Sequence, residues 1–222
     1  GVVSGGKSGL AAMVADSLDI KLVQELAGKN NEIVSKPLLR FLSSLGGYKT
    51  GKISLEELSE ACNDLQKHLR DERPKVIKYC KENGQAFILD RSDIEDEEIF
   101  WKLFHYVHHS LSDQQYADLL ELARKVKLNT PQPDLYLCIK RSALESKQMS
   151  IGRGRDVEQD AWSLADMQYM EGLYPSLFTS LESRIELDMN KFDSDKEIHR
   201  GWLWQEMMWH LLKKKMEKAA IS

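Results

Sequence analysis

Short apolar runs alternate along the chain with longer stretches in which apolar residues recur every three or four positions. That alternation is the pattern of a parallel sheet covered by helices. Residues 7–18 place Leu10, Met13, Val14 and Leu18 on one face and predict a helix. IKLVQEL (20–26) predicts a short strand, and AFILD (86–90) a buried strand ending in a charge. DLYLCIK (134–140), after Pro131 and Pro133, and RIELDMN (184–190) predict two more. Helical periodicity covers 54–82, with a break expected near Pro74. It returns over 99–109, 113–127, most of 141–182 with interruptions at Gly152 and Gly154, and 195–217. SSLGGYKTGK (43–52) carries three glycines and predicts a loop. The expected fold is one α/β domain over residues 1–222, a parallel sheet of about five strands between helices.

Composition narrows the function classes. Of 222 residues, 42% are hydrophobic and 30% charged, with five prolines, which excludes disordered and collagen-like chains. No apolar run approaches the roughly 18–20 residues of a membrane span. The net charge of -4 argues against a nucleic-acid polymer as partner. Three well-separated cysteines, Cys62, Cys80 and Cys138, read as free thiols in a reducing compartment, the cytoplasm or a mitochondrial matrix.

GVVSGGKS (1–8) fits G-x-x-x-x-G-K-[ST] in full. Gly1 and Gly6 let backbone N–H groups turn toward phosphate oxygens, Lys7 adds a point charge, and the Ser8 hydroxyl can ligate Mg²⁺. A glycine-rich turn matching by chance is the competing reading. Such a loop follows a buried strand, so the first strand is expected from residues ahead of Gly1; no targeting signal can be read, though such a segment could carry one.

Two further segments carry charge where it could serve chemistry. LDRSDIEDEEIF (89–100) puts Asp90 and Arg91 at the end of a strand. Ligands in open α/β sheets bind outside the carboxyl ends of strands, so Arg91 falls on the edge that carries the phosphate loop. The alternative is a helix start capped by Ser92 or Asp93. IGRGRDVEQ (151–159) offers Arg153 and Arg155 around a glycine, suited either to a lid over a transferring phosphoryl group or to a solvated basic turn.

In this order the segments resemble the deoxynucleoside kinase family, above all its deoxyadenosine, deoxyguanosine and deoxycytidine kinases. GVVSGGKS resembles the family's phosphate loop, D-R-S-x-x-x-D-x-x-x-F from Asp90 to Phe100 its strand-end motif, and RGRDVEQ (153–159) its lid. Gln66 and Arg73 have its Gln-x6-Arg spacing, and LDMNKFD (187–193) resembles the segment beside adenine. The resemblance implies ATP and Mg²⁺ as cofactors and a deoxynucleoside as substrate. It implies Glu25 as the general base for the 5′-hydroxyl, with Glu32 as a competing candidate, and Arg91 as neutralising charge at the reacting oxygens. It implies that Gln66, Arg73 and Asp96 read the base, that Phe100 packs near it, that Glu158 holds the sugar 3′-hydroxyl, and that Arg153 and Arg155 close over the phosphates. Phe100 at helical spacing also fits plain core. A homodimer is implied by resemblance alone.

The chain departs from the family at several places. The lid's first arginine falls on Met149, the segment KPLLRF (36–41) is altered, and an added loop is expected over about 42–60. These departures favour a second expectation, a kinase-like accessory subunit of a larger assembly, as in mitochondrial respiratory complex I. His105 and His109 have i, i+4 spacing but lack a convincing third ligand for zinc. Trp202, Trp204 and Trp209 suit a docking surface or a core anchor, and KKKMEK (213–218) a solvated helix end.

Overall fold

The structure is a computed structural model and describes residues 6–23, 32–152 and 161–221. Helix α1 (Lys7–Leu18) begins behind Gly6, whose φ of 91° lies in the left-handed region that glycine adopts without strain. Asp19, also left-handed, ends it by donating its N–H to the Ala15 and Asp16 carbonyls. The chain then turns directly into β1 (Lys21–Val23), which pairs in parallel with β2 (Phe87–Leu89), Lys21 opposite Phe87. Farther along, β3 (Tyr136–Lys140) pairs in parallel with β4 (Arg184–Asp188), Tyr136 opposite Arg184.

The described residues therefore hold two parallel pairs and not one sheet of about five strands. Helices dominate instead. α2 (Glu32–Lys49) packs against α3 (Leu55–Glu82). The loop expected over 43–52 is largely helix, because Leu42 and Leu45 are buried and keep α2 on the core through Gly46 and Gly47. A Cβ on Gly47 would lie 3.3 Å from Ile53 Cγ2, so glycine there admits the returning turn. Within the segment 42–60 expected as an added loop, only 50–54 lies outside the two helices. α3 likewise runs through Pro74 without the expected break. The buried face of Leu58, Leu65, Leu69, Arg73 and Cys80 holds it continuous against the local cost of proline.

α4 (Asp93–Glu95) runs on into two wide π-helical turns, Asp96–Phe100 and Leu103–Val107. Such turns recur at functional sites. They feed Phe100 and Phe104 into an aromatic group with Phe41 and Trp162, with ring centroids 4.9–6.4 Å apart. α5 (Asp113–Asn129), α6 (Ala143–Gly152), α7 (Leu164–Ser180) and α8 (Glu197–Ile221) complete the helices. No helix among the described residues is long and apolar enough to cross a membrane.

Capping explains where several helices start. Ser54 with Glu57, Ser112 with Gln115 and Ser163 with Asp166 each form a reciprocal capping box. Asp166 also accepts bonds from Lys49 Nζ at 2.6 Å and pairs with His108 Nε2 at 2.8 Å. The start of α1 has no side-chain cap. α1 is held instead by its flank, where Leu10 and Val14 join Ile139, Ile185, Leu187, Leu203 and Met207 in a second apolar core. That core fixes the N-terminus of α1 over the ends of the strands.

Candidate functional site

Ser8, in the first turn of α1, donates its Oγ proton to Asp90 Oδ2 at 2.6 Å. Asp90 directly follows β2, is 7% exposed, and donates its N–H to the Val23 carbonyl at the end of β1. On the other side Gly6 faces the second strand pair. A Cβ on Gly6 would lie 3.6 Å from Arg141 Nη1 and 3.8 Å from Met189 Cε. Arg141 follows the last residue of β3, and Met189 the last residue of β4. The N-terminus of α1 thus faces the carboxyl ends of β2, β3 and β4, where open α/β sheets bind ligands. Its first turn holds no acidic residue, so its N–H groups present an anion-binding surface.

Charge is concentrated near the N-terminus of α1. Arg91 adopts a left-handed φ of 81°, a conformation that costs on the order of 1–3 kcal/mol. It places the guanidinium 4.4 Å over the Phe100 ring and its Nε 3.8 Å from Glu95 Oε2. Glu95 is buried and accepts a 2.6 Å bond from the Tyr174 hydroxyl. Burial would raise its carboxyl, but the positive field that includes Lys7 and Arg91, with the Tyr174 bond, holds it well below the usual range. Burial and the neighbouring Glu95 carboxylate push the Tyr174 phenol well above its ordinary value, so it remains the donor.

A second group lies deeper. Arg73, 2% exposed, donates to Asp96 Oδ2 at 2.7 Å and also to Asp93. Burial opposes the Arg73 charge, yet the two carboxylates outweigh it and hold the guanidinium protonated. Burial pushes Asp96 upward, and Arg73 and Arg91 counter it. Arg91 thus lies in the field of Asp96 as well as of Glu95 and joins the two groups. Gln66, 3% exposed, accepts from Trp101 Nε1 at 2.6 Å. Arg70 sits 4.3 Å over the same indole. Phe100 belongs to the aromatic core on one face and to Arg91 on the other.

The structure therefore brings together Gly6, Lys7, Ser8 and Arg91, and Arg73 with Asp96; Gln66 is bonded to Trp101, whose ring carries Arg70 and not that pair. Gly1, Glu25, Arg153, Arg155 and Glu158 lie outside the described residues, and Glu32 opens α2. Sequence reasoning missed Glu95, Tyr174 and Arg141. Glu95 is hidden in an acidic run that reads as a helix start, and Tyr174 lies 79 positions from its partner. Arg141 had one available signal, its place directly after a predicted strand.

A family model described as Deoxynucleoside kinase matches residues 1–207. The fold is similar to deoxyadenosine kinase from M. mycoides with bound dATP, at 16% identity and a TM-score of 0.68 over 93% of this chain and 95% of that one. The same kinase with bound dCTP gives 14% identity and a TM-score of 0.61 over 99% and 96%. With the products dCMP and a flexible dCDP it gives 15% and 0.60 over the same shares. At these identities the likeness is one of fold. No curated protein sequence matches the chain.

Proposed function

This chain belongs to the deoxynucleoside kinase family, and we propose that it transfers the γ-phosphate of ATP to the 5′-hydroxyl of a purine deoxynucleoside or deoxycytidine. The observation that carries the proposal is the 2.6 Å contact of Ser8 with Asp90 beneath an uncapped helix start at the strand ends. A hydroxyl and a carboxylate are hard oxygen donors, and Mg²⁺ takes one or two carboxylates together with substrate phosphates. They fit that ion, which when bound neutralises phosphate charge.

The chain's own groups supply the rest. The backbone after Gly6 and the Lys7 ammonium hold phosphate oxygens. Arg91, anchored by Glu95 and Phe100, adds charge near the reacting oxygens. Glu25 takes the proton of the attacking hydroxyl, and Arg153 and Arg155 close over the phosphates. Arg73 and Asp96 present a fixed donor and acceptor face to the base, Gln66 adds its amide, Phe100 packs beside the base, and Glu158 holds the 3′-hydroxyl. The similar M. mycoides enzyme is described with bound dATP, dCTP and dCMP, which supports a purine or cytosine base.

The second reading is a structural subunit of a larger complex, a mitochondrial respiratory one included. It is favoured by α8, where Ile198, Trp202, Trp209, Leu212 and Met216 are exposed at spacings of four, seven, three and four. Turnover decides between the two. Labelled ATP is assayed with each of the four deoxynucleosides on wild type, Lys7→Ala and Glu25→Gln. The kinase reading expects turnover that Lys7→Ala abolishes and that Glu25→Gln lowers in kcat by about 10²–10⁴-fold with nucleoside affinity kept. Absence of nucleoside binding together with stable association into a large complex favours the subunit.

A further inference from the structure

Arg141 brings another cation to the N-terminus of α1. It directly follows β3, and its Nη1 stands 3.6 Å from where a Cβ on Gly6 would lie. The same nitrogen touches the Met149 thioether on α6, a weak acceptor. Among the described residues no carboxylate pairs with this guanidinium. Glu145, one helical turn before Met149, accepts from Ser142 Oγ at 2.7 Å, and its carboxyl, lowered first by that bond, feels Arg141 only through its field.

On the β3 side that placement adds a cation where positive charge already gathers. A helix N-terminus carries partial positive charge, and cations belong at the other end. The first turn of α1 has no acid of its own, Lys7 adds one full charge there, and the carboxylates that offset it, Asp90 and Glu95, follow β2 and not β3. A guanidinium 3.6 Å from where a Cβ on Gly6 would lie adds a second. A polyanion seated in the loop converts this repulsion into attraction, and the planar guanidinium fork matches phosphate oxygens.

We propose that Arg141 is a polyphosphate-binding residue, holding the nucleotide's phosphates from the β3 side while Ser8 and Asp90 stand on the β2 side. Met149 acts as its apolar rest. The proposal deepens the phosphoryl-transfer reading and rests on it.

The test is calorimetry on the whole chain with ATP-Mg²⁺, inorganic tripolyphosphate and deoxynucleoside. It compares wild type, Arg141→Ala, Arg141→Lys and Lys7→Ala, with Arg141→Gln in reserve should the alanine variant not fold. Arg141→Ala is expected to weaken ATP and tripolyphosphate about tenfold or more, as loss of a charge-assisted contact does, and to leave deoxynucleoside affinity unchanged. Arg141→Lys should recover part of the loss, and the difference should shrink at high salt. A merely structural arginine would weaken all three ligands together. An Arg141→Ala protein that binds ATP like wild type, while Lys7→Ala does not, overturns the role of Arg141 and leaves the kinase reading standing. A wild type that binds tripolyphosphate through Arg141 but neither ATP nor nucleoside overturns the kinase reading and keeps the anion site. Binding of neither ATP nor tripolyphosphate overturns both.

Discussion

Ser8 and Asp90 are 82 positions apart in the chain and meet at 2.6 Å, where the first turn of α1 crosses the end of β2. The contact joins a hydroxyl in the first turn of α1 to a carboxylate that its own backbone holds against β1. Asp90→Asn keeps the shape and an acceptor oxygen but removes the charge. Its kcat/KM is expected to fall about 10²-fold or more, because a cation at phosphates supplies several kcal/mol of charge stabilisation. Nucleoside affinity should stay near wild type. A titration of rate against Mg²⁺ checks this, and an unchanged rate and Mg²⁺ dependence would make Asp90 purely structural.

The pair was half legible in the sequence. The helix behind Gly6 and the strand that ends at Asp90 and Arg91 could each be read locally, because helical periodicity and apolar runs are local signals. α1 and the segments of β2, β3 and β4 were legible for the same reason. α3 through Pro74 and α2 through Gly46 and Gly47 were not, since burial of Leu45, Leu65 and Leu69 overrides the local preference to break. The Glu95–Tyr174 bond and the approach of Arg141 to Gly6 arise only when separate elements pack, so no spacing could announce them.

Arg73 and Asp96 form a buried pair, so their substitutions should not add. Arg73→Met alone leaves Asp96 and Asp93 without the guanidinium that bonds them, with Arg91 acting on Asp96 only through its field, and should cost about 3–5 kcal/mol, the usual penalty for breaking a buried pair. Adding Asp96→Ala removes one orphaned charge and should recover part of that loss. A double-mutant cycle by denaturant unfolding measures the coupling, and strictly additive losses would contradict the pair. The double variant should also discriminate less against thymidine, read as the ratio of kcat/KM values for deoxyadenosine, deoxycytidine and thymidine. An unchanged ratio would assign the pair to the fold alone.

Asp166 links the end of α2, the segment after the second π turn and the start of α7. Burial would raise its carboxyl, but bonds from His108 and Lys49 and the Ser163 N–H hold it well below the ordinary value. A depressed folded value means stability that is fully present above the unfolded value of about 3.9 and is lost as pH falls below it toward the folded one. Asp166→Asn removes that contribution. At pH 7 the variant should be less stable by about 2–4 kcal/mol, discounted because Lys49 is partly exposed. Between about pH 5 and pH 2 its stability should change less with pH than that of wild type. Unfolding curves across that range decide the point. Parallel curves for the two proteins would show that Asp166 does not carry the acid response.

Met149 stands where the family resemblance implies a lid arginine, and the obvious repair, Met149→Arg, meets a neighbour the sequence did not reveal. The Met149 thioether is in contact with Arg141 Nη1. An arginine there would set two guanidiniums side by side at the N-terminus of α1, and two like charges about 4 Å apart repel by a few kcal/mol at a protein surface. The ligand-free variant should therefore melt below wild type. Polyphosphate between the two cations reverses the sign, so ATP-Mg²⁺ should raise the melting temperature of the variant by more than it raises that of wild type. Low salt should widen both differences, since screening at 0.1 M acts over about 10 Å. Thermal melts with and without nucleotide, at two salt concentrations, give all four values. A variant as stable as wild type without ligand would place the Arg141 guanidinium away from position 149 in solution. A variant destabilised without ligand but not rescued by ATP would mean that Arg141 and position 149 do not face the bound phosphates.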